Sequence, residues 1–333
     1  MKNILFVLAL LVSFGSFGQE NKDSLLVHQT SAGEVKYDLS LINNYITCWG
    51  DSLTASGGWI AQLSDLSGMT VYNGGTGGES SRTILARQGG DVMLVNNIII
   101  PAETTSVLIA SRDLDGGINT ALGHKVTPLL QGGAHFNPCF IGDVEGVLQW
   151  TGTGNSDLRG DWEFTRTEPG KEIVINSPTP IRTNFDMNKN TPHLQVIFMG
   201  QNGGYSDLRE LIIQHKLLIE HSKAENTIIL GLSSGTAKYR AKYENAMREE
   251  FGEYFISLRE NLAAPIYKSD SKTILNCYGL KGAGLTPTQK DLNEIALGKL
   301  PQQLLLDSVH YTSATNTVIG NLIYTKCKDL NIF

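Results

Sequence analysis

CWGDSLTASGG, residues 48–58, sets a serine two residues after a glycine and one after an aspartate, just past the apolar run INNYITCWG. The run reads as a short buried strand and TASGGWIAQLSDLSG as a helix, so Ser52 stands on a strand-to-helix turn. Two roles fit it there. As an N-cap, its hydroxyl would accept from the first unpaired N–H groups of the helix. As a nucleophile, it would sit where the positive end of the helix and free backbone N–H groups can hold a developing oxyanion. This stretch alone leaves both open.

Working outward, further apolar runs of strand length recur at MTVYNGG, at LQVIFMG (194–200) and at NTIILGL (226–232). Between them lie SDLRELIIQHKLLIEHSKAE and KYRAKYENAMREEFGEYFISLREN, with apolar residues at three-to-four spacing and charges elsewhere, both read as helices. Strands alternating with helices imply a parallel sheet, with the functional site at the carboxyl ends of its strands. From about Gly89 to Phe185 the rhythm changes to short β-rich runs (KVTPLL, GVLQW, WEFTRT, KEIVIN) punctuated by GG, GD, GTGN and proline. This stretch is expected to be an inserted, sandwich-like β domain.

The strand ends carry unusual residues. VYNGGTGGESSR is either a plain glycine loop or a place where a backbone N–H approaches a substrate; it has neither Walker spacing nor G-x-G-x-x-G. In MGQNGGYSD, Asn202 either bonds its own turn or offers its side-chain amide to an oxyanion. In LLLDSVHYTSATNTVIGNLIYTK, Asp307 and His310 are three apart, so the carboxylate can accept from imidazole Nδ1–H and leave Nε2 as a base. The plainer alternative is a capping aspartate beside a surface histidine. Together the four segments would supply a nucleophile, oxyanion donors, a base and its orienter.

The 333 residues carry a net charge of −6 and 41 % hydrophobic residues, enough for a sizeable core. No basic block interleaves with aromatics, which argues against nucleic acid as a partner. MKNILFVLALLVSFGSFG reads as a cleaved signal peptide (1–18): one lysine, a short apolar core, then Ser16 and Gly18 at the positions a signal peptidase reads. Stable membrane insertion is not expected from so short a run. A secreted or periplasmic protein follows. Cys48, Cys139, Cys277 and Cys327 form no C-x-x-C pair, and a Cys277–Cys327 bridge is compatible with export. No H-x-H or H-E-x-x-H suggests a metal, and no cofactor is expected.

At these segments the chain resembles the SGNH, or GDSL, hydrolase superfamily of esterases and lipases. Gly50-Asp51-Ser52-Leu53-Thr54 matches its first block; Asn73, Gly75, Gly78, Glu79 and Ser80 match its second; Gly200 and Asn202 its third; Asp307 and His310 its last. Gly203 stands where an aspartate is common in the family. The resemblance covers residues 40–88 and 190–333. It implies a flavodoxin-like three-layer α/β/α domain (19–88 and 186–333) interrupted by the β domain (89–185). Within it, Ser52 attacks, His310 acts as base, Asp307 orients it, and the Ser52 N–H, Gly78 N–H and Asn202 amide hold the oxyanion. The runner-up is an α/β-hydrolase, disfavoured because Thr54 stands where that family's elbow has glycine.

The reading that follows is a secreted serine esterase acting on an acetylated carbohydrate, the β domain flanking the site. Trp49, Arg82 and Tyr205 are candidates to stack on or bond a sugar. Each also has a structural alternative: Trp49 as core, Arg82 as a solvated helix start, Tyr205 as a packed loop residue. Rival readings are a lipase or lysophospholipase, and a non-catalytic carbohydrate-binding or assembly protein on the same fold.

Overall fold

The computed structural model describes residues 27–29, 35–37 and 45–333, apart from 131–135, 155–156, 189–190 and 235–236. It forms two compact units, Met1–Asn43 and Asn44–Phe333. In the first, Val27–Gln29 pairs antiparallel with Val35–Tyr37; the expected signal peptide lies outside the described residues. No helix among the described residues is long and apolar enough to cross a membrane.

The second unit is mixed α/β. Five parallel strands, β1 (Tyr45–Gly50), β2 (Thr70–Gly75), β3 (Leu194–Phe198), β4 (Asn226–Gly231) and β5 (Phe255–Ser257), form one sheet in the order β5-β4-β3-β1-β2. β3 is buried at every position and β1 at all but its first, which is why both read as unbroken apolar runs: a strand covered on both faces has no polar side to alternate with. The chain crosses from β1 to β2 in one direction and from β2 to β3 in the other, so the strand order reverses at β1 and β3. Helices pack in two groups: α2 (Gly58–Ser67) against α6 (Ser313–Asp329), and α3 (Ser81–Gln88) against α4 (Leu208–Ser222), which also meets α5 (Ala237–Phe251).

Two expected helices are broken. The one expected from Thr54 divides into α1 (Ser52–Ala55) and α2 at Gly57, whose φ of 73° is left-handed. The one expected over 238–261 ends at Phe251. Gly252 takes φ 55°, and Phe255–Ser257 then joins the sheet as β5, paired with Ile229–Gly231. The helical spacing seemed to continue because FIS is too short to show a period of its own.

The inserted stretch forms an eight-strand antiparallel sheet whose strands all fall between Met93 and Arg182. The sandwich expectation is corrected: this is one sheet curled into a half-barrel, beside a separate pair made by Ile98–Ile100 and Ile173–Ile175. Curling lets a single layer bury its own apolar face, here Met93, Ile118, Phe136, Leu148, Trp162 and Phe164. The half-barrel is tied to the parallel-sheet region at α3, where Thr127 N–H donates to Thr83 Oγ1 at 3.4 Å and Thr183 Oγ1 to Arg87 O at 2.9 Å.

Arg87, on α3, is 2 % exposed and fixes the end of β2. Its guanidinium donates to Gly74 O at 2.7 Å and to the Glu79 carboxylate at 2.8–3.2 Å, and lies 5.1 Å from the Trp49 ring centre. Burial pushes the Glu79 carboxyl up, and Arg87 opposes this. Arg87→Ala should therefore cost about 3–5 kcal/mol of stability, because it strands a buried carboxylate. Pairing Arg87→Met with Glu79→Gln should recover most of the loss; urea unfolding of the three proteins measures both effects.

Candidate functional site

β1, β2 and β3 end level with one another. Gly50 is in register with Gly75 on one side and Phe198 on the other. A side chain at Gly50 would place its Cβ 2.2 Å from both Phe198 O and Thr54 Oγ1. At Gly75 it would lie 2.3 Å from Ala55 N. Only glycine permits the strand ends and α1 to come this close.

Asp51, not Ser52, caps α1: its Oδ1 accepts from Leu53 N–H at 3.0 Å. The Ser52 hydroxyl instead lies 2.8 Å from His310 Nε2. Its backbone N–H is in the first turn of α1 and so has no acceptor within the helix.

His310 is held by the turn that precedes α6. Asp307 Oδ1 accepts from Val309 N–H at 2.7 Å and His310 N–H at 2.8 Å, while Oδ2 lies 2.7 Å from His310 Nδ1. These donors lower the Asp307 carboxyl to about 2. An ionised Asp307 accepts from Nδ1–H, so Nε2 carries the lone pair and accepts a hydrogen bond from the Ser52 hydroxyl. The side chains of His310 and Asp307 are 38 % and 55 % exposed, so the pair sits at the surface.

The glycine loop and the asparagine turn are clamped together. Asn202 Nδ2 donates to Glu79 O at 3.2 Å, and Gly203 O accepts from both Ser81 N–H and Ser81 Oγ–H at 3.0 Å. Gly78 takes φ 69°, a left-handed turn beside Glu79. An amide nitrogen has two hydrogens, so one Asn202 hydrogen holds the loop and the second remains available. Thr76, Gly78, Glu79 and Ser80 also line a small cavity with Thr127, Leu129 and Leu130 of the inserted region. The insert thus flanks the glycine loop.

Sequence reasoning gave Asp51 no separate role. Its side chain is buried, which raises its carboxyl to about 6, against the pull of the Leu53 and Gln201 backbone and of His310. A carboxylate whose charge is felt by an imidazole favours that imidazole's cationic form.

The three sugar-contact candidates separate. Trp49 is corrected to core: it is fully buried, 4.5 Å from the Phe185 ring and 5.9 Å from Tyr72. β1 alternates sides, and at this position the side chain turns into the sheet's packing. Arg82 is committed to Glu210, with Nε at 2.8 Å and Nη2 at 2.5 Å, joining α3 to α4. Tyr205 does line a cavity of about 490 Å³, together with Gln201, Ser234, Tyr239, Arg240 and Val309. The cysteines are four buried free thiols, so the Cys277–Cys327 bridge is not formed. Among the described residues no group of three or more His, Cys, Asp or Glu is placed to hold a metal.

No protein-family model matches the chain, and no curated protein matches it significantly.

Asp51 makes a pH prediction with a definite sign. Its folded carboxyl is raised, so between about pH 4 and 6 the folded state holds a proton that the unfolded state releases, and stability falls as pH rises through that window. Asp51→Asn keeps a good cap and removes the buried charge. At pH 7 it should gain about 1–3 kcal/mol, the gain vanishing near pH 4; urea midpoints across this range measure it.

Proposed function

We propose that this chain is a serine ester hydrolase of the SGNH type, exported by its first 18 residues, that removes acetyl groups from a carbohydrate. The observation that carries the reading is the chain of contacts from Asp307 through His310 to Ser52, at 2.7 and 2.8 Å, at the carboxyl end of a parallel sheet. The strand order 2-1-3-4-5 agrees with the flavodoxin-like arrangement that the resemblance implies, and the site lies where that order reverses. The motif resemblance supports the same reading, with Gly78 and Asn202 as oxyanion donors.

The reaction needs no other group. His310 Nε2 takes the hydroxyl proton as Ser52 Oγ attacks the ester carbonyl carbon, and the oxyanion is held by the Ser52 N–H, the Gly78 N–H and the free Asn202 hydrogen. On collapse, the carbon–oxygen bond to the sugar breaks and His310 gives its proton to the departing hydroxyl. Water, deprotonated by His310, then attacks the acyl-serine; acetic acid leaves and the serine is regenerated. The cavity beside the site is lined by Gln201, Ser234, Ser308, two tyrosines and an arginine, together with Leu232 and Val309. Its hydroxyls, amide and guanidinium can meet the oxygens of a sugar. A binding module on this fold has no use for a histidine aligned on a serine.

Acetate release from p-nitrophenyl acetate and from acetylated polysaccharides is the test. Ser52→Ala should fall to background and melt within a degree or two of the wild type, since its hydroxyl caps nothing; wild-type turnover in this variant would remove the nucleophile assignment. Asn202→Ala should lower kcat by roughly a hundredfold through loss of one oxyanion donor. An unchanged kcat would leave Asn202 as a loop clamp.

A further inference from the structure

Most buried or half-buried arginines described above have a carboxylate: Arg87 has Glu79, and Arg82 has Glu210. Arg259 likewise pairs with Glu244. Arg240 differs. It is 5 % exposed, and its Nε and Nη1 are buried without a hydrogen-bond partner. No carboxylate pairs with it among the described residues. Its guanidinium is stacked at 4.3 Å from the Tyr239 ring centre and 5.0 Å from that of Tyr243. These rings orient the cation without neutralising it.

A buried, uncompensated cation is costly, and well-packed apolar residues usually serve stability better. Its position supplies a reason. Arg240 lines the cavity of about 490 Å³ whose other walls include Gln201, next to Asn202, and Val309, next to His310. The cavity therefore opens between the asparagine turn and the histidine turn. Tyr205 and Tyr239 share a hydroxyl contact of 3.0 Å on the same wall.

We infer that Arg240 binds a carboxylate on the substrate, so that the preferred ester is an acetylated uronic acid within an acidic polysaccharide. This rests on the esterase reading and deepens it. The guanidinium is a fixed cation on the cavity wall, and burial strengthens a charge-assisted bond made to it. The tyrosine hydroxyls and Ser234 can meet the sugar's other oxygens. Arg240 is then a specificity residue, apart from the bond-breaking groups.

The test separates binding from turnover. Acetylated oligomers of galacturonic and of glucuronic acid, each also prepared with its carboxyls methyl-esterified, are titrated calorimetrically into Ser52→Ala. At least one free-acid oligomer should bind about 30-fold more tightly than its methyl ester. That preference should fall to near unity when Arg240→Met is added. Because the substitution removes an unpaired buried charge, Tm should stay level or rise. Equal affinity for acid and methyl ester, or a preference that survives Arg240→Met, overturns the proposal. So does a drop in Tm with the preference unchanged, which would give Arg240 a structural role. Failure of the wild type to hydrolyse any of these esters or p-nitrophenyl acetate would count against the esterase reading, and the calorimetric preference is independent of that outcome.

Discussion

The closeness of three strand ends governs everything at this site. Gly50, Gly75 and Phe198 lie in register, and the space left for a side chain at Gly50 is occupied by Phe198 O and Thr54 Oγ1. Because the backbones meet so tightly, Ser52, the glycine loop and the asparagine turn all emerge within the same small region. A sheet with ordinary side chains there would hold α1 away from β2 and spread these groups apart. Arg87 reinforces the arrangement from below, bonding Gly74 O at the end of β2 and Glu79 in the loop beyond it. The rigid part of the site is thus built from backbone contacts and one buried ion pair, and the side chains proposed to react are supported by it.

The histidine arrives by a different route. The turn carrying Asp307 and His310 is exposed, and its shape comes from its own hydrogen bonds: Asp307 holds two backbone N–H groups as well as the imidazole. The turn is closed by the bridge of Leu305 with Tyr311, and the N-cap of α6 follows at Thr312. Local order therefore replaces burial as the means of positioning.

How much of this could be read in the sequence depended on whether a feature is local. Ser52, Asp307, His310 and the two loops were legible because each lies in a short segment whose spacing states its geometry. The sheet was legible because β1 to β4 are long apolar runs. β5 was not: three residues after a helix carry no period, and only Gly252 marked the break. The half-barrel's strands were visible as β-rich runs, but whether they form one sheet or two depends on pairing across many residues, such as Ile181 with Met93. Trp49 and Arg82 were singled out by adjacency to a motif alone. Adjacency to a motif does not say which way a side chain points, and Trp49 points into the core while Arg82 meets Glu210 from another helix. Arg240 was invisible within KYRAKYE, where it looks like any solvated charge.

Three buried charges near the site show how stability and chemistry divide the work. Arg87 is matched by Glu79, and the pair holds backbone in place. Asp51 is only partly compensated: its cap contact with Leu53 draws on one oxygen, and burial leaves the carboxyl titrating near 6, close to an imidazole that must become cationic during the proposed reaction. Arg240 is stacked but unpaired. The better a charge is matched within the protein, the less it can respond to anything that arrives from outside. Asp51 immediately precedes Ser52, and Arg240 lines the cavity that also takes in Gln201 and Val309. Under the proposed reaction their signs are complementary to what would come there: a carboxylate near an imidazole that becomes cationic, and a guanidinium near an acid group on the substrate. Charges left incompletely matched lower the stability of the empty protein, and the proposed complex would relieve that cost, as expected where binding energy is directed to the transition state rather than to the fold.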